Sequence, residues 1–367
     1  RPQTHMPNPT DLFTKPRIIL HSRQSLNYTV YHVDWIPKSA RFVSLGCTPR
    51  QKGALQIYSL EETNIKLQTS VELPSALRSG TFDHCREETG IRELACVDFS
   101  GDIHVMDIEK ISGSQIKHSF HVAKAHDGMI NCIDGAGRSY GAPELVTGGR
   151  DGCVRVWDTR QHNKPVASLE PEGNQRDDCW AVAFGNSYND SERVVAAGFD
   201  GGDIKLFDLR MNQIRWEHNV RNGVCSLEFD RKDIEMNKLM ATTLEGRFTV
   251  FDMRTYNAEK GYASVTTQIS KDTLWQGKHL PQNRDLCAVT GGHGKVSLYQ
   301  YKYPAQRAVG EPPEGVAGQV ELVQSQSLST QPIYSLSWHR DKEGLAVMGS
   351  LDQSVYVALV TKLDKLR

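Results

Sequence analysis

Hydrophobic and polar positions alternate with a period of two along most of this chain, in short runs that Gly, Asp and Asn interrupt. That period places successive side chains on opposite faces of a strand, and the interruptions mark the turns between strands. Long stretches of helical period are absent. One pattern recurs: a turn residue, alternating apolar positions, then an aromatic or its substitute, often followed by Asp. It reads GALQIYSL, GDIHVMDI, DGCVRVWDTR, GDIKLFDLR, EGRFTVFDMR, GKVSLYQY and DQSVYVALV. Its anchors are Tyr58, Met106, Trp157, Phe207, Phe251, Tyr299 and Ala358, separated by 48, 51, 50, 44, 48 and 59 residues.

Each anchor follows the same two elements. An alternating run opens the unit (VYHVDW, LRSGTF, INCIDG, WAVAFG, VCSLEF, LWQGKH, IYSLSW), and an apolar run follows it (RFVSLG through GLAVMG). Outer strands such as Lys66–Leu73 and Ile214–Val220 complete the unit. The spacing is close to the ~40–45-residue period of WD repeats, with longer loops. The chain is therefore expected to be all-β: a seven-bladed WD40 β-propeller forming a single domain over residues 15–367. The last unit runs out of chain after its third strand. The segment RIILH at Arg17–His21 has no local partner and is expected to close the ring as that blade's outer strand.

The third unit carries His126, Thr147, Asp151 and Trp157 at the spacing by which WD repeats hydrogen-bond four side chains in series. A Thr-His-Asp set could also suggest a nucleophilic triad. The structural role is preferred, because it satisfies every buried polar group in the set. Other units keep parts of it, such as Asp200, Glu245 and Asp352.

Composition narrows the class further. The formal charge is -1, from 43 basic and 44 acidic residues, which argues against a dedicated nucleic-acid binder. No apolar run reaches the ~18 residues of a membrane span, and no signal peptide precedes the repeats, so a soluble, intracellular protein is expected; a monomer is expected as well. The eight cysteines form no C-x-x-C pair and are read as buried apolar thiols in a reducing compartment. The thirteen histidines appear scattered, without metal-ligand spacing, so no metal or cofactor is expected. No catalytic residues are assigned either: Gly148-Gly149 and Gly291-Gly292 end strands and lack the strand-to-helix context of a phosphate loop.

Propellers commonly bind at the mouth of the central channel. Counting back four from the end of each opening run selects Tyr31, Arg78, Asn131, Trp180, Cys225, Trp275 and Tyr334. Tyr, Trp and Arg dominate interface hot spots, so a protein-binding ring around one mouth is expected. The alternative is that these side chains only plug the channel. Beside the ring, Arg150, Phe199, Leu244 and Leu351 precede acidic turn residues. Their apolar members suggest an exposed patch, and Arg78 and Arg150 could meet an acidic group on a partner. A repeated W/F-D-x-R ends in Arg160, Arg210 and Arg254 and resembles the docking signature of cullin ubiquitin-ligase substrate receptors. The alternative there is pairing of each Arg with a neighbouring acid.

Two segments stand outside the repeat. Residues 1–14 are expected to be flexible; they open without an initiator Met, and Met6 is a candidate native start. YPAQRAVGEPPEGVAG, residues 303–318, reads as a mobile loop or a partner-binding arm.

Blades four and five become specific beyond the class. DDCWAVAFGNSYNDSERVVAAGFDGGDIKLFDLR and NGVCSLEFDRKDIEMNKLMATTLEGRFTVFDMR closely resemble the Monad-type WD-repeat family of dynein axonemal assembly factors. PRIILH, NYTVYHVDW, GAPELVTGGRDGCVRVWD, HLPQNRDL and the terminal VTKLDKL fit the same family. The resemblance starts near Lys15 and is weakest in blade two; blade six lacks the turn Asp. It implies a cytoplasmic co-chaperone adaptor working with a prefoldin-like complex and RuvB-like ATPases to preassemble axonemal dynein heavy chains. The family has also been linked to apoptosis signalling. It supplies no catalytic motif to carry over.

Overall fold

The computed structural model describes residues 15–111, 116–138, 141–161, 164–171, 176–311 and 313–366, the side chain of Glu87 apart. The expected flexible segment 1–14 lies outside the described residues. Among the described residues seven four-stranded antiparallel sheets form the blades; six are laid down in chain order from the innermost strand outward, and the seventh takes its outermost strand from the start of the described chain. The innermost strands are Thr29–Trp35, Leu77–Thr81, Ile130–Ala136, Cys179–Gly185, Val224–Phe229, Leu274–Leu280 and Ile333–Trp338. They follow the alternating runs closely, because one face of each strand must enter the apolar layer between blades. Helical structure among the described residues is limited to short 3-10 turns.

The ring closes as the sequence suggested. Arg17–Ser25 pairs with Ser354–Thr361, from Arg17 opposite Thr361 to Ser25 opposite Ser354. Ile18 of this strand enters a core with Val360, Tyr356 and Trp338. Arg23 lies 3.2 Å from Asp352 and sits over the Tyr356 ring. Closure pairs an edge that would otherwise expose a row of backbone donors and acceptors.

Apolar clusters fill the spaces between neighbouring blades, such as Phe229, Leu239 and Phe251 against Ala196, Leu206 and Trp216. Buried cations brace other junctions. Arg193 of blade four meets Glu144 of blade three at 2.5 Å, and Lys238 of blade five meets Asp285 of blade six at 2.7 Å. Free N–H groups of the innermost strands are capped across blade boundaries: Ser335 Oγ accepts from Val33 N, and Asp134 Oδ2 accepts from Phe184 N. These backbone donors thus find partners although the innermost strand is an edge of its sheet.

In blade three, His126 Nδ1 donates to Asp151 at 2.9 Å, and Thr147 Oγ1 donates to His126 Nε2 at 2.8 Å. Trp157 Nε1 closes the series by donating to Thr147 Oγ1 at 2.9 Å. All four residues are buried. This chain of bonds runs from the turn to the third strand and keeps the Thr147 hydroxyl buried. The cysteines are all unpaired thiols, half of them buried. Within residues 303–318, a two-residue ladder joins Ala308–Val309 to Glu314–Gly315. The segment is anchored at Tyr303, whose hydroxyl bonds Asn237 and Lys238, and at Arg307, which bonds Asn237.

Candidate functional site

Each innermost strand carries a β-bulge near its start. The register skips one residue between Val30 and His32, Leu77 and Ser79, Ile130 and Cys132, and Cys179 and Ala181. It does so again between Val224 and Ser226, Leu274 and Gln276, and Ile333 and Ser335. The skipped residues are Tyr31, Arg78, Asn131, Trp180, Cys225, Trp275 and Tyr334, the ring selected by counting along the sequence. A bulge leaves its extra residue out of the ladder and re-aims its side chain. Seven equivalent bulges therefore set one side chain per blade at the same end of the channel.

Four of the seven converge. The Arg78 guanidinium lies over the Tyr31 ring at 5.3 Å and over the Tyr334 ring at 4.8 Å. Trp275 packs on Tyr334 at 4.9 Å between ring centroids, and Tyr31 meets Tyr334 edge-on at 6.0 Å. Burial raises the Tyr334 phenol, with Arg78 pulling against it, so the ring stays neutral beside the cation. Arg78 Nε and Trp275 Nε1 are buried and have no hydrogen-bond partner among the described residues. Asn131 is buried and donates to Cys179 O at 3.1 Å, so it plugs its sector.

The opposite sector is acidic. Asp178 is raised by burial, with Arg150 opposing, and Asp200 is raised by burial and by Asp177 and Asp178. Trp180 stands beside these acids. A Cβ on Gly223 would come within 2.8 Å of both Trp180 and Leu244, so this glycine lets the two apolar side chains meet over the backbone.

The second set of mouth residues needs one correction. Phe199 is not at a turn tip; it ends the strand Val194–Phe199 and packs in the core with Cys179 and Phe184. In blade four Gly201 stands where blade three has Asp151, and the acid Asp200 stands one residue earlier at the place of Arg150, so aligning on the acid misplaces the equivalent position by one residue. The backbone shows the true series. Phe99 N, Arg150 N, Asp200 N, Leu244 N, Gly292 N and Leu351 N each donate back toward the start of their own blade's innermost strand. Phe99 is thus a member that sequence reasoning missed; it is exposed and lies 5.6 Å from Tyr31. Its distance before the anchor Met106, equal to that of Arg150 before Trp157, was the available signal. Arg150 is exposed, and Leu244 and Leu351 are half-buried.

The other end of the channel is closed by charge. Lys232, from the loop after blade five's innermost strand, reaches Asp83 at 2.7 Å and also bonds Asp134. Arg340 of blade seven bonds the same Asp83. Burial opposes ionisation of Asp83, but Arg340, Lys232 and Arg138 hold it well below the ordinary carboxylate range. Glu228 is likewise penalised by burial, yet Lys278 and His279 hold it at about 2. At Asp34 burial outweighs a 2.7 Å bond from Ser337 Oγ and the pull of Arg340 and Lys278, and pushes the carboxyl up to about 6.

Of the W/F-D-x-R arginines, Arg160 folds back on Asp158 at 2.7 Å and Arg254 pairs with Glu235, while Arg210 is exposed. The histidines are not all scattered in space: His104, His118 and His121 stack together on blade two, with centroids 4.9–5.2 Å apart. No helix among the described residues is long and apolar enough to cross a membrane.

Seven blades, the buried His-Thr-Asp-Trp series and a strand closure between chain ends define a WD-repeat β-propeller. The family model for the WD domain, G-beta repeat, matches residues 117–158. Full-length relatives are more specific. The chain is 51% identical to dynein axonemal assembly factor 10 of Xenopus laevis, covering 96% of this chain and 98% of that protein. It is 50% identical to the Homo sapiens protein of the same name, over 96% and 99%, and 48% identical to that of Chlamydomonas reinhardtii, over 97% and 100%. This chain belongs to the dynein axonemal assembly factor 10 family.

Proposed function

We propose that this chain is a non-enzymatic scaffold, a co-chaperone adaptor, for cytoplasmic preassembly of axonemal dynein, and that it holds its protein partner across the bulge-presented mouth. The observation that carries the site is the convergence of Tyr31, Arg78, Trp275 and Tyr334 at seven-fold equivalent bulges. The family supports the process, because relatives matching nearly the whole chain bear the assembly-factor name. Prefoldin-like and RuvB-like ATPase machinery and dynein heavy chains are the partners this reading names.

The mouth has a polarity that a partner segment would match. Arg78, half-buried with its guanidinium over the Tyr31 and Tyr334 rings, suits an acidic or carbonyl-bearing group against aromatic walls. The Asp177, Asp178 and Asp200 sector suits a basic group, and Trp180 with Leu244 supplies apolar contact between them. The ubiquitin-ligase reading would need Arg160, Arg210 and Arg254 as a free set, and two of the three are engaged within the chain.

Affinity purification from ciliated cells tests this reading. A Trp180→Ala/Trp275→Ala variant with unchanged thermal stability should lose recovery of dynein heavy chains or co-chaperones at least tenfold, the scale of a hot-spot pair. Wild-type recovery of all of them would remove the mouth from the account.

A further inference from the structure

We propose that blade two carries a binding site for one divalent transition ion of the zinc class, made by Asp102, His104 and His121 with His118 beside them. Asp102, His104 and His121 come from three places, the turn, the third strand and the outer strand, and their donor atoms all lie within 4.8 Å of one another.

The local structure is built to bring these groups together. His104 and His121 are directly opposed across the strand pair Ile103–Asp107 and His118–Val122. Opposed residues share a face of the sheet. The register then skips Ser119, between Val105 opposite Phe120 and Met106 opposite His118. In a regular strand, residues three apart point to opposite faces; the bulge returns His118 to the face of His121. His118 Nε2 lies 3.2 Å from His104 Nδ1, and His121 Nε2 lies 3.5 Å from Asp102 Oδ2. Zinc–nitrogen bonds of about 2.0–2.1 Å place adjacent tetrahedral ligand atoms roughly 3.3–3.4 Å apart, close to the separation of His121 Nε2 from Asp102 Oδ2.

The outer groups also fit. Asp98 is buried; its Oδ2 holds His104 Nε2 at 3.1 Å, and its Oδ1 accepts from Ser100 N and Asp102 N. A carboxylate behind an imidazole fixes the ring's tautomer and orientation toward a metal. With Nε2 donating to Asp98, the His104 Nδ1 lone pair faces the other imidazoles. Asp102 is steadied in turn, since its Oδ1 accepts from Lys124 N at 2.8 Å and leaves Oδ2 toward His121. Imidazole and carboxylate donors without thiolate select zinc, nickel or copper over calcium and magnesium, which prefer all-oxygen sets. His121 is partly exposed, so an ion has a path from solvent. Bound there, it would tie the short outer strand His118–Val122 to the strand and turn beneath it. The second His/Cys group on this blade, His84 with Cys85 and Glu93, is weaker: burial pushes the Cys85 thiol up to about 12, away from the thiolate a metal needs.

The test uses tag-free full-length protein stripped with chelator and titrated with Zn2+ by calorimetry and with Co2+ by visible absorption. The expected result is one ion per chain, with His121→Asn and Asp102→Asn each weakening affinity at least tenfold. Cys85→Ser and the distant, exposed His293→Gln should leave it unchanged. Circular dichroism checks that each variant is folded. Two results would overturn the proposal: no stoichiometric uptake by wild-type protein, or uptake that folded His121→Asn and Asp102→Asn variants retain in full.

Discussion

At the scale of single residues, the buried carboxylates divide by whether nearby positive charge outweighs the cost of burial. Asp83 and Glu228 have cations within reach and stay ionised, so their contribution is present above the ordinary carboxylate range. It fades on acidification, for Glu228 down through about pH 2. Asp34 has the opposite sign. Its folded value of about 6 lies above its ordinary value of 3.8, so its contribution is full below about pH 4 and is lost as pH rises through 6. Asp34→Asn should therefore raise the melting temperature by a few degrees at pH 8 and much less at pH 4.5. Thermal denaturation at the two pH values checks this, and an equal shift at both would assign the effect to packing instead. The same scale shows why Phe199 was misplaced. The backbone bonds count from the aromatic anchor, and in blade four the acid Asp200 occupies the place of Arg150 while Gly201 occupies that of Asp151.

At the scale of elements, the strands were legible because a period of two and a face that must be buried leave little freedom of register. The ring of mouth residues was legible for a related reason: the bulge recurs at the same count from the strand end in every blade. The closure strand was legible from an unpaired apolar run at one end and a missing outer strand at the other. That closure predicts a measurable dependence. Ile18 is 8% exposed within the blade-seven core. Ile18→Ala should cost about 2–4 kcal/mol, a melting shift of several degrees, and removal of residues 1–25 should cost far more and expose an aggregation-prone edge. A truncated chain that melts like the full one would show that the ring closes without this strand. The histidine site on blade two could not be read from the sequence. His104, His118 and His121 have no familiar ligand spacing, and only pairing opposite one another across a bulge makes them neighbours.

At the scale of the whole molecule, the two ends of the channel differ in kind. One is closed by Lys232, Asp83, Asp134 and Arg340, a set drawn from four blades that no local pattern could announce. The other presents aromatic rings around Arg78 and an acidic sector around Asp178 and Asp200. An ion-paired floor ties four blades at one end, and the half-buried aromatic end opposite is the mouth proposed above for partner binding. The most direct measurement is site-specific photo-crosslinking in ciliated cells, with the crosslinker placed at Trp275, at Trp180, or at the exposed outer-strand residue Leu322 as a reference. The account predicts crosslinks to dynein heavy chains or their assembly machinery from Trp275 and Trp180 and none from Leu322. Crosslinks confined to Leu322 would contradict it.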